Sequence, residues 1–189
     1  RTQAVDLIEE HVKQFQLDCD FHRVPWYLYA SSEDDSGKIE KEFQTAQEAG
    51  VRMEMASQAE IPFPVSNAVK VSDQAQLNPM RYVQELANSI KSEHCSIFEH
   101  SRVLDIEEED NLVRVTTATG KVTANYALHA THTPKGVRLF FHTVLGPYRE
   151  YGVAAKLRSG SYPQGIFWGY YDGVKFSVRS YSRGQEQFI

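Results

Sequence analysis

Cysteine is nearly missing from this 189-residue chain, which has only Cys19 and Cys95. They lie far apart and fit no metal-binding or redox spacing. Two buried thiols in a reducing compartment are the simpler expectation, and a single disulfide is the alternative. No apolar run approaches the roughly 20 residues that a membrane helix needs. The opening residues, Arg1 to Glu10, carry carboxylates and read as an amphipathic helix rather than a secretory leader. The expected compartment is therefore the cytoplasm. Runs of Lys and Arg are absent, and the net charge of -5 argues against an electrostatic nucleic-acid surface. The chain also has no Gly-x-Gly-x-x-Gly turn, the backbone cradle that holds a dinucleotide pyrophosphate at a helix N-terminus. His129 and His132 sit three apart, on opposite faces of a strand, and His94 with Cys95 fails in the same way, so no metal site is expected. Ser-His-Asp chemistry has no local signature.

What is present is ordinary for a globular protein: 41% hydrophobic and 24% charged residues, enough for one domain or two small ones. Ala4, Ile8, Val12 and Phe15 mark one face of a first helix, which Gln16-Leu17-Asp18 ends. Alternation from His22 to Ala30 predicts a strand, with Pro25 requiring either an edge position or a bulge. Ser31 to Gly37 reads as an acidic turn. Ser36 then caps a second helix with Ile39, Phe43 and Ala46 inward, and Gly50 stands at its left-handed end. Val51 to Val71 contains Pro62 and Pro64 and reads as irregular, with short strands. Asn78-Pro79 starts a third helix, with Met80, Val83, Leu86, Ala87 and Ile90 as a buried stripe to about His94. A β-meander follows: Ser96 to Glu107, a turn at Glu109-Asp110-Asn111, then Leu112 to Thr117, and Lys121 to Ala124. Tyr126 to Ala130 reads as a compact strand. Further strands are expected at Tyr148 to Leu157, Gly165 to Tyr171 and Lys175 to Tyr181, with Asp172-Gly173 as the last hairpin turn. The fold class is α+β: a mixed, largely antiparallel sheet with a few packed helices and a β-meander.

Four segments in order carry a resemblance. They are Asp18-Cys19-Asp20-Phe21 leading to Tyr27-Leu28; Gln76 to Tyr82 with Leu86-Ala87; the meander from Phe98 to Ala124 running into Tyr126 to His132; and Pro147 to Tyr151 with Phe176-Ser177-Val178-Arg179. Together they resemble the D-amino-acid oxidase and glycine oxidase superfamily of FAD-dependent oxidoreductases, most closely the bacterial branch that often carries a Rieske-type iron–sulfur domain. The resemblance implies a partial FAD/NAD(P)-binding-type fold lacking its Gly-rich first βαβ unit. It divides the chain into substrate-domain portions at 1–77 and 135–189 and an FAD-domain portion at 78–134. It implies that the chain is a central fragment, beginning after the dinucleotide fingerprint. FAD would belong to the complete protein and would be poorly retained here. The implied chemistry is oxidation of a C–N bond in a small amine or amino acid. Self-association or a complementing chain is expected where apolar faces lack cover. The alternative is a non-catalytic α+β binding or interaction module.

The resemblance also suggests individual residues. Arg179 lies on a strand that relatives use to line the substrate pocket, where a guanidinium can clamp a carboxylate; an ordinary exposed strand arginine is the equal alternative. Ala130 and Thr131 occupy a place where relatives approach the cofactor with Ala-Thr-Gly. His132 replaces that glycine and reads as a structural histidine. Val103 falls where backbone meets the adenine side of FAD, and its side chain reads as core. Trp168, Tyr170, Tyr171 and Tyr181 wall a pocket or pack a sheet. No acid–base catalyst stands out.

Overall fold

The computed structural model describes residues 2–131, 146, 149–158, 162–171 and 174–189. They form two compact units, Arg1–Ile90 with Val153–Ile189, and Lys91–Gly152.

In the first unit, helix α1 (Thr2–Gln14) leads to strand β1 (His22–Ala30) and helix α2 (Glu33–Glu48). Strand β2 (Glu54–Met55), a 3-10 turn (Gln58–Glu60) and strand β3 (Asn67–Gln76) precede helix α3 (Pro79–Ile90). The second unit holds β4 (Val103–Glu109), β5 (Leu112–Thr117) and β6 (Lys121–Ala124). The chain then supplies β7 (Ile166–Tyr171), β8 (Val174–Arg179), β9 (Tyr181–Arg183) and β10 (Glu186–Phe188) to the first unit.

The main sheet runs β2-β3-β1-β7-β8. Only β1 and β7 are parallel; the other pairs are antiparallel, which makes the sheet mixed. Pro25 therefore lies in the central strand, and the structure takes the bulge rather than the edge. Val24 pairs with Gln74 and Trp26 with Val71, leaving Ser72 and Asp73 opposite Pro25. Proline has no N–H for the ladder, and Asp73 turns to φ 58 to absorb the extra residue. Arg23 Nη1 donates to the Asp73 carbonyl at 2.8 Å, while its Nη2 reaches Asp6 at 2.6 Å and Glu9 at 2.5 Å on α1.

The helix ends follow simple capping rules. Leu17 N–H reaches Val12 O at 3.0 Å around Gln16 at φ 53, and Leu17 buries itself beyond the turn. At the end of α2, Gly50 at φ 70 lets Val51 N–H reach Ala46 O at 2.8 Å. The start of α2 differs from the sequence expectation. Ser32, not Ser36, is the N-cap residue, and Glu33, Asp34 and Asp35 form the first turn. Carboxylates favour a helix N-terminus, so the acidic stretch read as a turn is already helix. Asn78 behaves as expected, its Oδ1 accepting Arg81 N–H at 3.1 Å.

Other boundaries moved. The region read as irregular with short strands, Val51 to Val71, holds the first half of the ten-residue β3, which is built on β1 by non-local pairing. Strand β4 begins at Val103 rather than Ser96. Asp110 and Asn111, at φ 53 and 63, make the two-residue turn into β5. Tyr126–Ala130 is not a strand, and Tyr126 and Leu128 are 91% and 94% exposed. A strand needs a ladder partner, and none is beside it among the described residues. From 149 to 157 only a bridge forms, Lys156 opposite Phe188. The α3 stripe is only partly covered: Met80 is 65% and Val83 61% exposed, with Ile90 likewise exposed, while Leu86 and Ala87 are half-buried. Cys19 is buried and Cys95 partly so, and both are free thiols. The expected Asp172-Gly173 turn, His132, Thr133, Pro134 and Tyr148 lie outside the described residues.

Candidate functional site

Side chains alternate along a strand, so the main sheet has two chemically different faces. One face gathers Tyr27, Tyr29, Ala68 and Phe167 beneath Ile61, with Phe63, Val65 and Tyr162 packed against them. Tyr27 stacks on Phe167 at 5.0 Å, and Tyr29 lies 4.6 Å from the Phe63 ring and edge-on to Phe176 at 6.0 Å. Gly169 is required beneath Tyr29, because a Cβ there would stand 2.3 Å from Tyr29 Cζ. Burial raises the Tyr29 phenol and pushes Tyr162 up to about 12, so both stay protonated at neutral pH.

The other face is covered by α2. Leu28, Ala30, Ile39 and Val69 form its core, bordered by Trp26, Phe43, Met53, Trp168 and Tyr170. Arg179 belongs to this second face. Val178 pairs with Phe167 and packs with the ring-rich side, so Arg179, opposite Ile166, points the other way. Ser177 opposite Trp168 and Lys175 opposite Tyr170 share the Arg179 side. Among the described residues β8 is the sheet edge, and these three side chains are exposed. No described residue accepts a hydrogen bond from Arg179. The Trp168 indole N–H is buried without an acceptor.

The expected ring cluster is thus divided. Trp168 and Tyr170 sit on the α2 side of the main sheet, whereas Tyr181 is on the separate β9–β10 hairpin. Nothing is described of the Tyr171 side chain. Lys175 and Ser177 were not singled out from sequence. Their signal was available: Lys-x-Ser-x-Arg on a predicted strand puts all three on one face.

Two clefts open on the first unit. One, about 290 Å³, lies at the Pro25 bulge and is lined by Arg23, Tyr27, Glu60, Lys70 and Asp73. Both of its cations are already paired, Lys70 Nζ with Glu60 at 2.8 Å and Arg23 with Asp6 and Glu9. Lys70, helped by the Ser57 N–H, holds the Glu60 carboxyl below the usual range. The second, about 370 Å³, is bounded by Asp20, Arg81, Tyr181, Ser182, Arg183 and Gly184. It lies where two of the sequence motifs meet. Arg81 reaches Asp18 and Asp20, each at 2.9 Å, and Asn78 N–H donates to Cys19 O at 2.8 Å. That fork fastens α3 to the segment before β1.

Val103 opens β4 opposite Thr117 in the second unit and is 45% exposed. Ala130 and Thr131 are exposed and lie after the last meander strand. Val103 and Ala130 have no polar side-chain atom and offer main-chain groups only, whereas Thr131 also carries a hydroxyl. Neither α2 nor α3 presents an open N-terminus to a dinucleotide phosphate. The α2 N-terminus bears three carboxylates, and α3 opens with Pro79, which has no N–H. No group of three or more metal-ligating side chains is found among the described residues. Nor is any described helix long and apolar enough to cross a membrane.

Comparison with known proteins gives this architecture a family. The model of the family described as FAD dependent oxidoreductase matches residues 1–167. A protein of Bacillus subtilis (strain 168) that bears the name of a Rieske 2Fe-2S iron-sulfur protein, YhfW, is 26% identical over 166 residues, covering 87% of this chain and 32% of that protein. The fold is similar to glycine oxidase from Bacillus cereus ATCC 14579, with TM-score 0.71 at 19% identity over 100% of this chain and 54% of that one. It is also similar to L-proline dehydrogenase from P. horikoshii, with TM-score 0.67 at 11% identity over 98% and 52%. Glycine oxidase from Geobacillus kaustophilus matches with TM-score 0.55 at 15% identity, over 66% of this chain and 36% of that one. The chain spans 32% to 54% of the lengths of these proteins. The family model, matching residues 1–167 of the 189, places the chain in the FAD dependent oxidoreductase family.

Proposed function

We propose that the protein carrying this chain oxidises a C–N bond in a small amine or amino acid, with hydride passing to a flavin and an imine left behind. In this reading the chain is a central part of that enzyme. It supplies the substrate-side sheet, 1–77 and 135–189, and a cofactor-side portion, 78–134. The partly uncovered apolar face of α3, with Met80 and Val83, supports placing that helix against further structure. So do Tyr126 and Leu128 in the second unit. A complementing segment or a second copy would cover them. FAD then depends on a phosphate grip that neither α2 nor α3 provides, and Val103, Ala130 and Thr131 contribute backbone contacts to it.

Arg179 carries the reading. Among the described residues it is an exposed arginine on an edge strand, with no acceptor and with aromatic residues on its own face. That arrangement suits a bidentate clamp on a substrate carboxylate. The test uses the intact protein. It should be yellow, and amino acids should bleach its flavin absorbance without oxygen. Arg179→Gln should raise KM for carboxylate substrates about tenfold or more, the worth of one charge-assisted contact. An amine without a carboxylate should be unaffected. A colourless intact protein that takes up no added FAD would instead identify a binding module.

A further inference from the structure

We infer that the β8 margin is a two-point anion site, and that the ligand held there is an acidic amino acid or a related small dicarboxylate. The inference rests on the reading of Arg179 as a carboxylate clamp and deepens it. Lys175, Ser177 and Arg179 alternate along β8 and share one face. Four residues of strand separate the α-carbons of Lys175 and Arg179 by about 13 Å. Their side chains are long enough to close most of that distance from both ends.

The Lys175 ammonium leans in the required direction. Its Nζ stands 4.7 Å from the Trp168 ring centroid and 5.8 Å from that of Tyr170. Tyr170 is the cross-strand partner of Lys175 itself, whereas Trp168 is the partner of Ser177, one step nearer Arg179. The ammonium is thus displaced along the strand toward the guanidinium, over an indole plate that would support an aliphatic spacer.

The group is rich in donors, and its one side-chain acceptor is the Ser177 hydroxyl. Lys175 makes no ion pair among the described residues. Arg179 likewise has no partner there, and the Trp168 indole N–H beneath Lys175 is orphaned. On α2, the helix that covers this face, Asp35 is held by Lys38 at 2.6 Å. In a chain of net charge -5, two cations on one strand face, neither paired among the described residues, favour a ligand with two carboxylates over one with a single carboxylate. Two carboxylates a few carbons apart would span what two long side chains leave of about 13 Å of strand.

The experiment follows the indole N–H resonance of Trp168 in the intact protein, assigned by its loss in Trp168→Phe. Glutarate and glutamate are titrated against acetate and glycine at low ionic strength, where exposed charges are least screened. The dicarboxylates should shift the resonance and bind about tenfold tighter than the monocarboxylates. Lys175→Gln should remove that preference and leave monocarboxylate binding intact, while Lys175→Arg should retain it. Arg179→Gln should weaken both classes. A dicarboxylate preference that survives Lys175→Gln, or an indole resonance that ignores every ligand, overturns the two-point site. If Arg179→Gln leaves monocarboxylate binding unchanged, the Arg179 clamp itself falls.

Discussion

Replacing Gly169 by alanine would place one methyl group inside the ring-rich face of the main sheet. The added Cβ would lie 2.3 Å from Tyr29 Cζ and 2.6 Å from both its Cε2 and its Oη. Contacts that short force something to move. Tyr29 has little freedom to do so, because it is 2% exposed and held between Phe63 and Phe176. The backbone of β7 is equally constrained, paired with β1 on one side and β8 on the other. Overpacking of this kind costs about 1–3 kcal/mol, and the rigid surroundings put Gly169→Ala at the top of that range. For a chain of this size, 3 kcal/mol corresponds to a fall in Tm of about 6–12 °C. Thermal unfolding of the purified protein is the assay, with Gly37→Ala as the control. Gly37 lies within α2 with nothing near its missing Cβ, so alanine there should stabilise by about 0.5–1 kcal/mol. Tyr29→Leu should relieve the clash, so the double variant Tyr29→Leu/Gly169→Ala should lose at least about 1 kcal/mol less than the sum of the singles. Unchanged stability in Gly169→Ala, or strict additivity in the double variant, would refute the packing argument.

Other consequences are as direct. Cys95 should react with a thiol reagent in the native protein, while Cys19, 1% exposed and with its thiol raised by burial, reacts only on unfolding; equal rates would contradict the burial. Lys70 first, then the Ser57 N–H, depress the Glu60 carboxyl, so its contribution is present at neutral pH. It should fade as pH falls below the ordinary glutamate value of about 4.3 and through the lower folded value. Urea midpoints from pH 6 to 3 should therefore drop less steeply in Glu60→Gln than in the parent; parallel curves would show that the pair does not stabilise the fold. Asn78→Ala should lower stability by about 1 kcal/mol through loss of the α3 cap, and Asn78→Asp should restore most of it, both read from denaturant midpoints.

The elements legible in the sequence were those whose cause is local. The Asn78-Pro79 helix start, the left-handed stop at Gly50 and the Asp110-Asn111 hairpin depend on neighbours within a few residues, and each appears where the residues predict it. The misplaced boundaries depend on distant partners. β3 exists because β1 offers it a ladder, and Tyr126–Ala130, with similar strand-forming residues, has no such ladder. Ser32 displaced Ser36 as the cap because a run of carboxylates is as suitable for a first helical turn as for a loop.

Residue chemistry alone determined that the chain is an α+β protein with no cysteine framework, no membrane-length apolar run and no glycine-rich phosphate turn. It also placed Lys175, Ser177 and Arg179 at alternate positions of one strand. Only tertiary structure decided which side of the sheet that row occupies. Side-chain alternation defines two faces, but long-range packing chooses between them: Val178 sinks among the rings, and Arg179 is turned to the α2 side. Tertiary structure likewise resolved Pro25 as a bulge, since its place at the sheet centre comes from β3 and β7 pairing on either side of it. Local preferences act over a few residues and can be read in order; sheet order and facing are set by contacts between residues far apart in the chain.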